Sequence, residues 1–131
     1  MGSAVEELLR WISPVVYMRR TATRATELDG VAIEAGQKVV MYYGSANRDP
    51  EAFGPTAGEL DLARSPNDHV AFGGGGPHFC VGAPLARMEG EIALRKLFAR
   101  FPDLRLEIPS PSLRWRRGLA FRGLRRLPVA I

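Results

Sequence analysis

The sequence predicts an α+β chain without the regular strand–helix alternation of a doubly wound sheet. Three observations lead there. Apolar residues at helical spacing are confined to two segments, one at the N-terminus and one after residue 83. Short apolar runs separated by turn dipeptides fill the region from 15 to 43. A closing stretch is broken repeatedly by Pro and Gly. At 131 residues, 46% hydrophobic and 24% charged, the chain has the make-up of one globular domain rather than a disordered one.

Met1 to Ile12 reads as a short helix, with Val5, Leu8, Leu9 and Ile12 on one side and Ser13-Pro14 as its stop. The chain opens almost inside this helix, as expected for part of a larger fold. Val15 to Met18 is a short apolar run, and Ala22 to Glu27 holds several β-branched residues. Asp29-Gly30 and Ala35-Gly36 are turn signals flanking Val31–Ile33 and preceding Lys38–Tyr43, which together suggest a hairpin or meander. Asn47 to His69 is rich in Pro, Gly, Asp and Asn and lacks periodicity; an irregular stretch this long in a compact chain is expected to be functional or else a sign of missing structure. Pro84 to Phe101 is predicted as an amphipathic helix, with Leu85, Met88, Ile92, Leu97, Phe98 and Phe101 along one side. Leu104 to Ile131 suggests short strands and a turn.

No apolar run approaches the roughly 18 residues that span a bilayer, and MGSAVEELLRW lacks the pattern of a secretory signal. The single cysteine, Cys80, excludes an internal disulfide framework and fits a cytoplasmic setting. The formal net charge is +4, carried by arginine with only Lys38 and Lys96 as lysines. Seven arginines and one acid, Glu107, lie from residue 105 onward. Such a face is most simply a solvated surface. It lacks the clustered stacking aromatics of a single-strand binder, so nucleic acid is not an expected partner.

The informative stretch is Phe72 to Gly82. Its glycines allow positive φ and close backbone approach. Cys80 follows the last glycine of the run by four residues and stands just before a helix start, where the helix dipole and free N–H groups favour thiolate. A thiolate in a glycine-lined turn suits an axial ligand of haem iron. Simpler readings compete. No G-x-G-x-x-G register and no G-K-[S/T] supports a nucleotide loop. His69, His78 and Cys80 are too few for a structural zinc site. A lone cysteine is by default a buried thiol, and His69 reads as a loop histidine without a role.

FGGGGPHFCVG resembles the haem-binding signature of the cytochrome P-450 superfamily, in the form found in actinobacterial members. Glu7-Leu8-Leu9-Arg10 is similar to the E-x-x-R of that family's K helix. The stretch from Arg20 through Gly30 resembles the short strands after it, SANRDPEAF the run opening the meander, Cys80 to Phe101 the L helix, and the tail the terminal β-structure. The likeness covers nearly the whole chain but only the C-terminal third or so of the family's fold. Nothing resembles the I helix with its acid–threonine pair.

The resemblance implies a haem-thiolate monooxygenase, with residues 1–131 as its C-terminal haem-binding portion and the N-terminal part and I helix absent. By that likeness Cys80 is the iron ligand of haem b, His78 and Arg20 contact the propionates, Phe72 packs beside the thiolate, and Gly82 belongs to the cofactor loop. Glu7, Arg10 and Arg64 form a structural ion cluster. Val15, Val16, Tyr17 and Met18, with the region from Leu119 to Arg122, line part of a substrate pocket. A ferredoxin-type electron donor and a small hydrophobic substrate are the implied partners. The opposing expectation is a remnant product that neither holds haem nor turns over by itself, since one face of a porphyrin site leaves the other open to water.

Overall fold

The computed structural model describes residues 2–118 and 120–131; Met1, placed in the first helix above, and Leu119, placed in the pocket wall, lie outside the described residues. Helix α1 (Gly2–Ile12) is strongly amphipathic, and its buried residues are Val5, Glu7 and Arg10. It ends at Ser13, whose φ of 43° turns the chain out of the helix. The Ser13 amide donates to the Leu9 carbonyl at 3.0 Å. Its hydroxyl donates to the Arg10 carbonyl at 2.9 Å.

Strands β1 (Tyr17–Thr21) and β4 (Lys38–Tyr42) pair antiparallel, Tyr17 opposite Tyr42 and Thr21 opposite Lys38. Between them β2 (Thr26–Leu28) and β3 (Val31–Ile33) form a tighter hairpin. Its two-residue loop has both Asp29 (φ 50°) and Gly30 (φ 75°) in the left-handed region, which matches the right-handed twist of the flanking strands. The region is therefore one hairpin nested inside another and not a meander. Only Thr26 and Glu27 of the expected Ala22–Glu27 run join a strand, and Tyr43 leaves β4 to begin the short helix α2 (Tyr43–Ala46).

The Asn47–His69 stretch carries one more short helix, α3 (Pro50–Phe53), capped by the Asp49 carboxylate accepting from the Glu51 amide at 2.9 Å. Helix α4 (Ala83–Arg100) begins one residue earlier than expected. It crosses α1 closely: a Cβ at Gly90 would sit 3.3 Å from Val5 Cγ1. The tail contributes β5 (Arg105–Leu106), a 3-10 turn (Ser110–Ser112) and β6 (Val129–Ala130), with β5 and β6 paired antiparallel. Isolated bridges join Val15 to Phe121 and Trp115 to Leu124.

The one-sided α4 expected from the sequence is corrected. At 3.6 residues per turn, Leu85, Met88 and Ile92 cluster on one face while Leu97, Phe98 and Phe101 fall nearly opposite. Leu85, Met88, Ile92, Leu97 and Phe98 are all exposed here. A helix apolar on two sides is built to be covered on both. Among the described residues the fully apolar core is small, consisting of Val5, Ala57, Ala71 and Ala83. The largest fully buried side chains are Arg10, Glu7, Asn47 and Ser13.

Candidate functional site

Two neighbouring assemblies carry the polar chemistry. The first centres on Glu7, one turn ahead of Arg10 on α1. Arg10 donates to the Glu7 carboxylate from Nε and Nη2, both at 2.7 Å. Arg64 donates from Nε to both Glu7 oxygens at 3.2 and 3.3 Å. The Asp61 amide (2.9 Å) and Asn67 Nδ2 (3.0 Å) complete the carboxylate's shell. Two guanidiniums thus face one carboxylate. The surplus positive charge is met by backbone carbonyls: Asn47, Ala57 and Glu59 accept from Arg10, and Phe53, Thr56 and Glu59 accept from Arg64. Burial alone would raise the Glu7 carboxyl, but the hydrogen bonds from Arg10, the Asp61 amide and Arg64 outweigh it and hold it down to about 2.

This network explains why the stretch after residue 46 has no periodicity. Its order comes from carbonyls gathered round two guanidiniums and not from alternating side chains. Asn47, fully buried, links the parts: Nδ2 donates to the Ser13 hydroxyl at 2.9 Å, and Oδ1 accepts from the Val70 amide at 2.8 Å. Sequence reasoning missed Asn47, because its partners stand 34 and 23 residues away.

The second assembly is a cavity of about 450 Å³ bordered by Leu9, Val15, Met18, Tyr43, Ala71, Phe72, Arg20, His78 and Cys80. Its walls are chiefly apolar, while one thiol, one imidazole and one guanidinium open onto it. The lone cysteine is exposed, so the default reading of a buried thiol is corrected. The loop that presents it is set by its backbone. Gly73 (φ 95°), Gly75 (φ 92°) and Gly76 (φ 76°) occupy conformations that side chains rarely adopt. The Cys80 amide donates to the Phe72 carbonyl at 3.1 Å, and the Cys80 carbonyl accepts from the Ala83 amide at 3.1 Å, handing the loop into α4. Gly82 is the N-cap of α4 with φ −84°, an ordinary conformation; a Cβ there would lie 3.8 Å from Cys80 Sγ.

The structure brings Arg20, Phe72, His78 and Cys80 to one cavity, with Val15 and Met18 on its wall. It divides the expected substrate-pocket run. Val16 and Tyr17 turn instead to a separate cavity of about 590 Å³, shared with Tyr42, Trp115, Phe121 and Arg122. Within β1 the division follows strand alternation, Tyr17 and Arg19 on one side and Met18 and Arg20 on the other; Val15 and Val16 precede the strand and do not follow that alternation. Phe121 and Arg122, from the tail segment assigned to the same pocket, also border this second cavity.

His69 lies in a loop, as expected, but it is not without partners. Its side chain is 2% exposed, and Nε2 lies 3.1 Å from Glu6 Oε2. Burial pushes its imidazole below the usual histidine range, against the opposing pull of Glu6. Glu6 also receives a fork from Arg87, Nε to Oε1 at 2.7 Å and Nη2 to Oε2 at 2.9 Å. No spacing signal marks this trio, whose members come from α1, the loop and α4. Among the described residues no group of three or more His, Cys, Asp and Glu is placed to hold a metal ion, and no helix is long and apolar enough to cross a membrane.

Comparison with known proteins makes the family plain. Residues 1–115 match the family model for cytochrome P-450. The 6-deoxyerythronolide B hydroxylase of Saccharopolyspora erythraea is 46% identical over 131 residues, covering all of this chain and 32% of the hydroxylase. The methyl-branched lipid omega-hydroxylase of Mycobacterium bovis is 54% identical over 102 residues, 78% of this chain and 24% of that protein. The solved structure of PksS, a cytochrome P-450 of the Bacillus subtilis bacillaene polyketide synthase, superposes with a TM-score of 0.93 at 47% identity, over 98% of this chain and 33% of PksS. This chain belongs to the cytochrome P-450 family. It spans about a third of the length of the curated relatives it matches.

Proposed function

We propose that residues 1–131 are the C-terminal haem-binding portion of a cytoplasmic cytochrome P-450 monooxygenase, the N-terminal part and I helix lying outside them. The carrying observation is the shared cavity: the one thiol of the chain, exposed, opens onto an apolar recess with Arg20 and His78 on the same recess. The donor set suits haem b. A planar, largely apolar ring with two carboxylates calls for an anionic sulfur beneath it, apolar walls, and cationic or N–H donors at one edge.

Cys80 would ligate the iron. Arg20 and His78 would donate to the propionates. Phe72 holds the Cys80 amide and walls the site, and Gly82 keeps the space beside the sulfur small-sided. When bound, the haem supplies dioxygen activation, to which a thiolate contributes electron density that favours O–O cleavage. Leu9, Val15 and Met18 would give the ring apolar contacts in the recess. The Glu7–Arg10–Arg64 cluster touches none of the cavity and serves as the frame. By family likeness the electrons come from a ferredoxin-type protein and the substrate is a small hydrophobic molecule; the name of one relative, a methyl-branched lipid omega-hydroxylase, agrees with an apolar substrate.

The test is spectroscopic. The chain loaded with haem, reduced and exposed to carbon monoxide is expected to give the strongly red-shifted Soret band of thiolate ligation, absent in Cys80→Ala. A wild-type spectrum without that band overturns the assignment of Cys80.

A further inference from the structure

We propose that Glu6, His69 and Arg87 form a second clamp that positions the cysteine loop through Phe72, with Glu6 as its hub. The inference deepens the haem-thiolate reading and rests on it for the identity of the ligand being positioned.

The geometry begins with the histidine. His69 Nδ1 accepts from the Ala71 amide at 3.2 Å. That bond assigns the proton of a neutral ring to Nε2, which faces Glu6 Oε2 at 3.1 Å and donates to it. One Glu6 carboxylate therefore binds two groups at once, His69 from the loop and the planar fork of Arg87 from α4.

The aromatic ring of Phe72 sits between the same two residues. The Arg87 guanidinium lies 4.8 Å from the ring centroid, and the His69 ring centroid is 6.0 Å away at a tilt of 50°. A further edge contact to Phe79, 6.3 Å between centroids, ties the ring to the residue just before Cys80. Phe72 is thus gripped by side chain, and its carbonyl receives the Cys80 amide at 3.1 Å. The path from Glu6 to the sulfur-bearing residue runs through Arg87 or His69, then the Phe72 ring, then one backbone hydrogen bond.

The clamp also has a rigid footing. Glu6 follows Val5, and Val5 meets α4 at Gly90, one turn beyond Arg87, where a Cβ would come within 3.3 Å. Helices α1 and α4 therefore touch at one point and are cross-linked at the next. Glu6 differs from its neighbour Glu7 in purpose. Glu7 faces the meander network, whereas Glu6 faces the loop; adjacent helix positions project about 100° apart. The positive neighbour Arg87 holds the Glu6 carboxyl below its ordinary range, which keeps the hub charged.

The experiment follows amide exchange by NMR in the full chain, wild type against Glu6→Gln and Arg87→Lys. The Gln variant keeps shape and loses charge; the Lys variant keeps charge and loses the fork. The expected result is about tenfold faster exchange at the Cys80 amide in both, with the β1–β4 amides unchanged. After haem loading, the same variants should show a diminished red-shifted carbon monoxide band. Unchanged Cys80 exchange in both variants, or exchange rising equally in the β1–β4 hairpin, overturns the clamp. Failure of the wild-type spectrum alone would sink the haem reading while leaving the exchange test of the clamp intact.

Discussion

The Glu7 network and the Cys80 cavity lie within a few residues of each other in the fold yet are opposite in character. In the first, Glu7 and Arg10 are fully buried and every donor of Arg10 meets an acceptor of this chain. In the second, Cys80 and His78 are exposed on an apolar recess. The contrast separates polar groups committed to one another from groups left open. The open groups do not order the loop that carries them, so its order has to come from elsewhere. Here it comes from buried ions and from backbone hydrogen bonds, because the apolar core is too small to supply it.

The comparison can be broken at its strongest point first. Replacing Glu7 by Gln leaves two guanidiniums facing a neutral group, and removing one partner from a buried ion cluster costs about 3–5 kcal/mol. Chemical denaturation should show that loss as a lowered midpoint. A smaller and gradual loss is expected in acid. The Glu7 carboxyl is depressed from 4.5 to about 2 in the folded state. Its contribution is therefore fully present above pH 4.5 and disappears as pH falls toward 2. Circular dichroism across that window should report unfolding, and the Gln variant should lack this component. At the other end of the scale, Cys80→Ala should change stability by no more than about 0.5 kcal/mol, since the thiol is exposed. A midpoint shift like that of Glu7→Gln would place Cys80 in the frame and erase the distinction.

Helix α4 extends the same lesson. Its two apolar faces are exposed while its first residue, Ala83, is fully buried. The structure of PksS, in which the matched segment is 33% of the chain, superposes on this segment with a TM-score of 0.93. The segment shares its local fold with that structure, and in this chain the apolar faces of α4 are exposed.

Much of the fold was legible in order along the chain. Helical spacing located α1 and α4 to within a residue or two, and Asp29-Gly30 marked its hairpin because a two-residue loop with both φ angles positive favours those residue types. The strand pairing was not legible: β1 finds β4 across an inner hairpin, a long-range choice that local patterns do not encode. The assignment of Leu97, Phe98 and Phe101 to the face of Leu85 was an error of helical phase. In the site, Cys80, His78, Phe72 and Arg20 stood out through the glycine loop and a family likeness, whereas Glu6, His69, Arg87 and Asn47 did not. Their partners lie far away in sequence, and the run from Val15 to Met18 borders two cavities that local patterns did not distinguish.

The amino-acid order by itself settled the kinds of chemistry present: one thiol, a glycine run able to turn sharply beside it, and an acid and base one helical turn apart. Only the tertiary structure decided which of those groups are spent on one another and which are left open. That decision depends on burial and on contacts between residues distant along the chain. A carboxylate enclosed by two guanidiniums becomes framework, while a thiol facing a recess stays accessible.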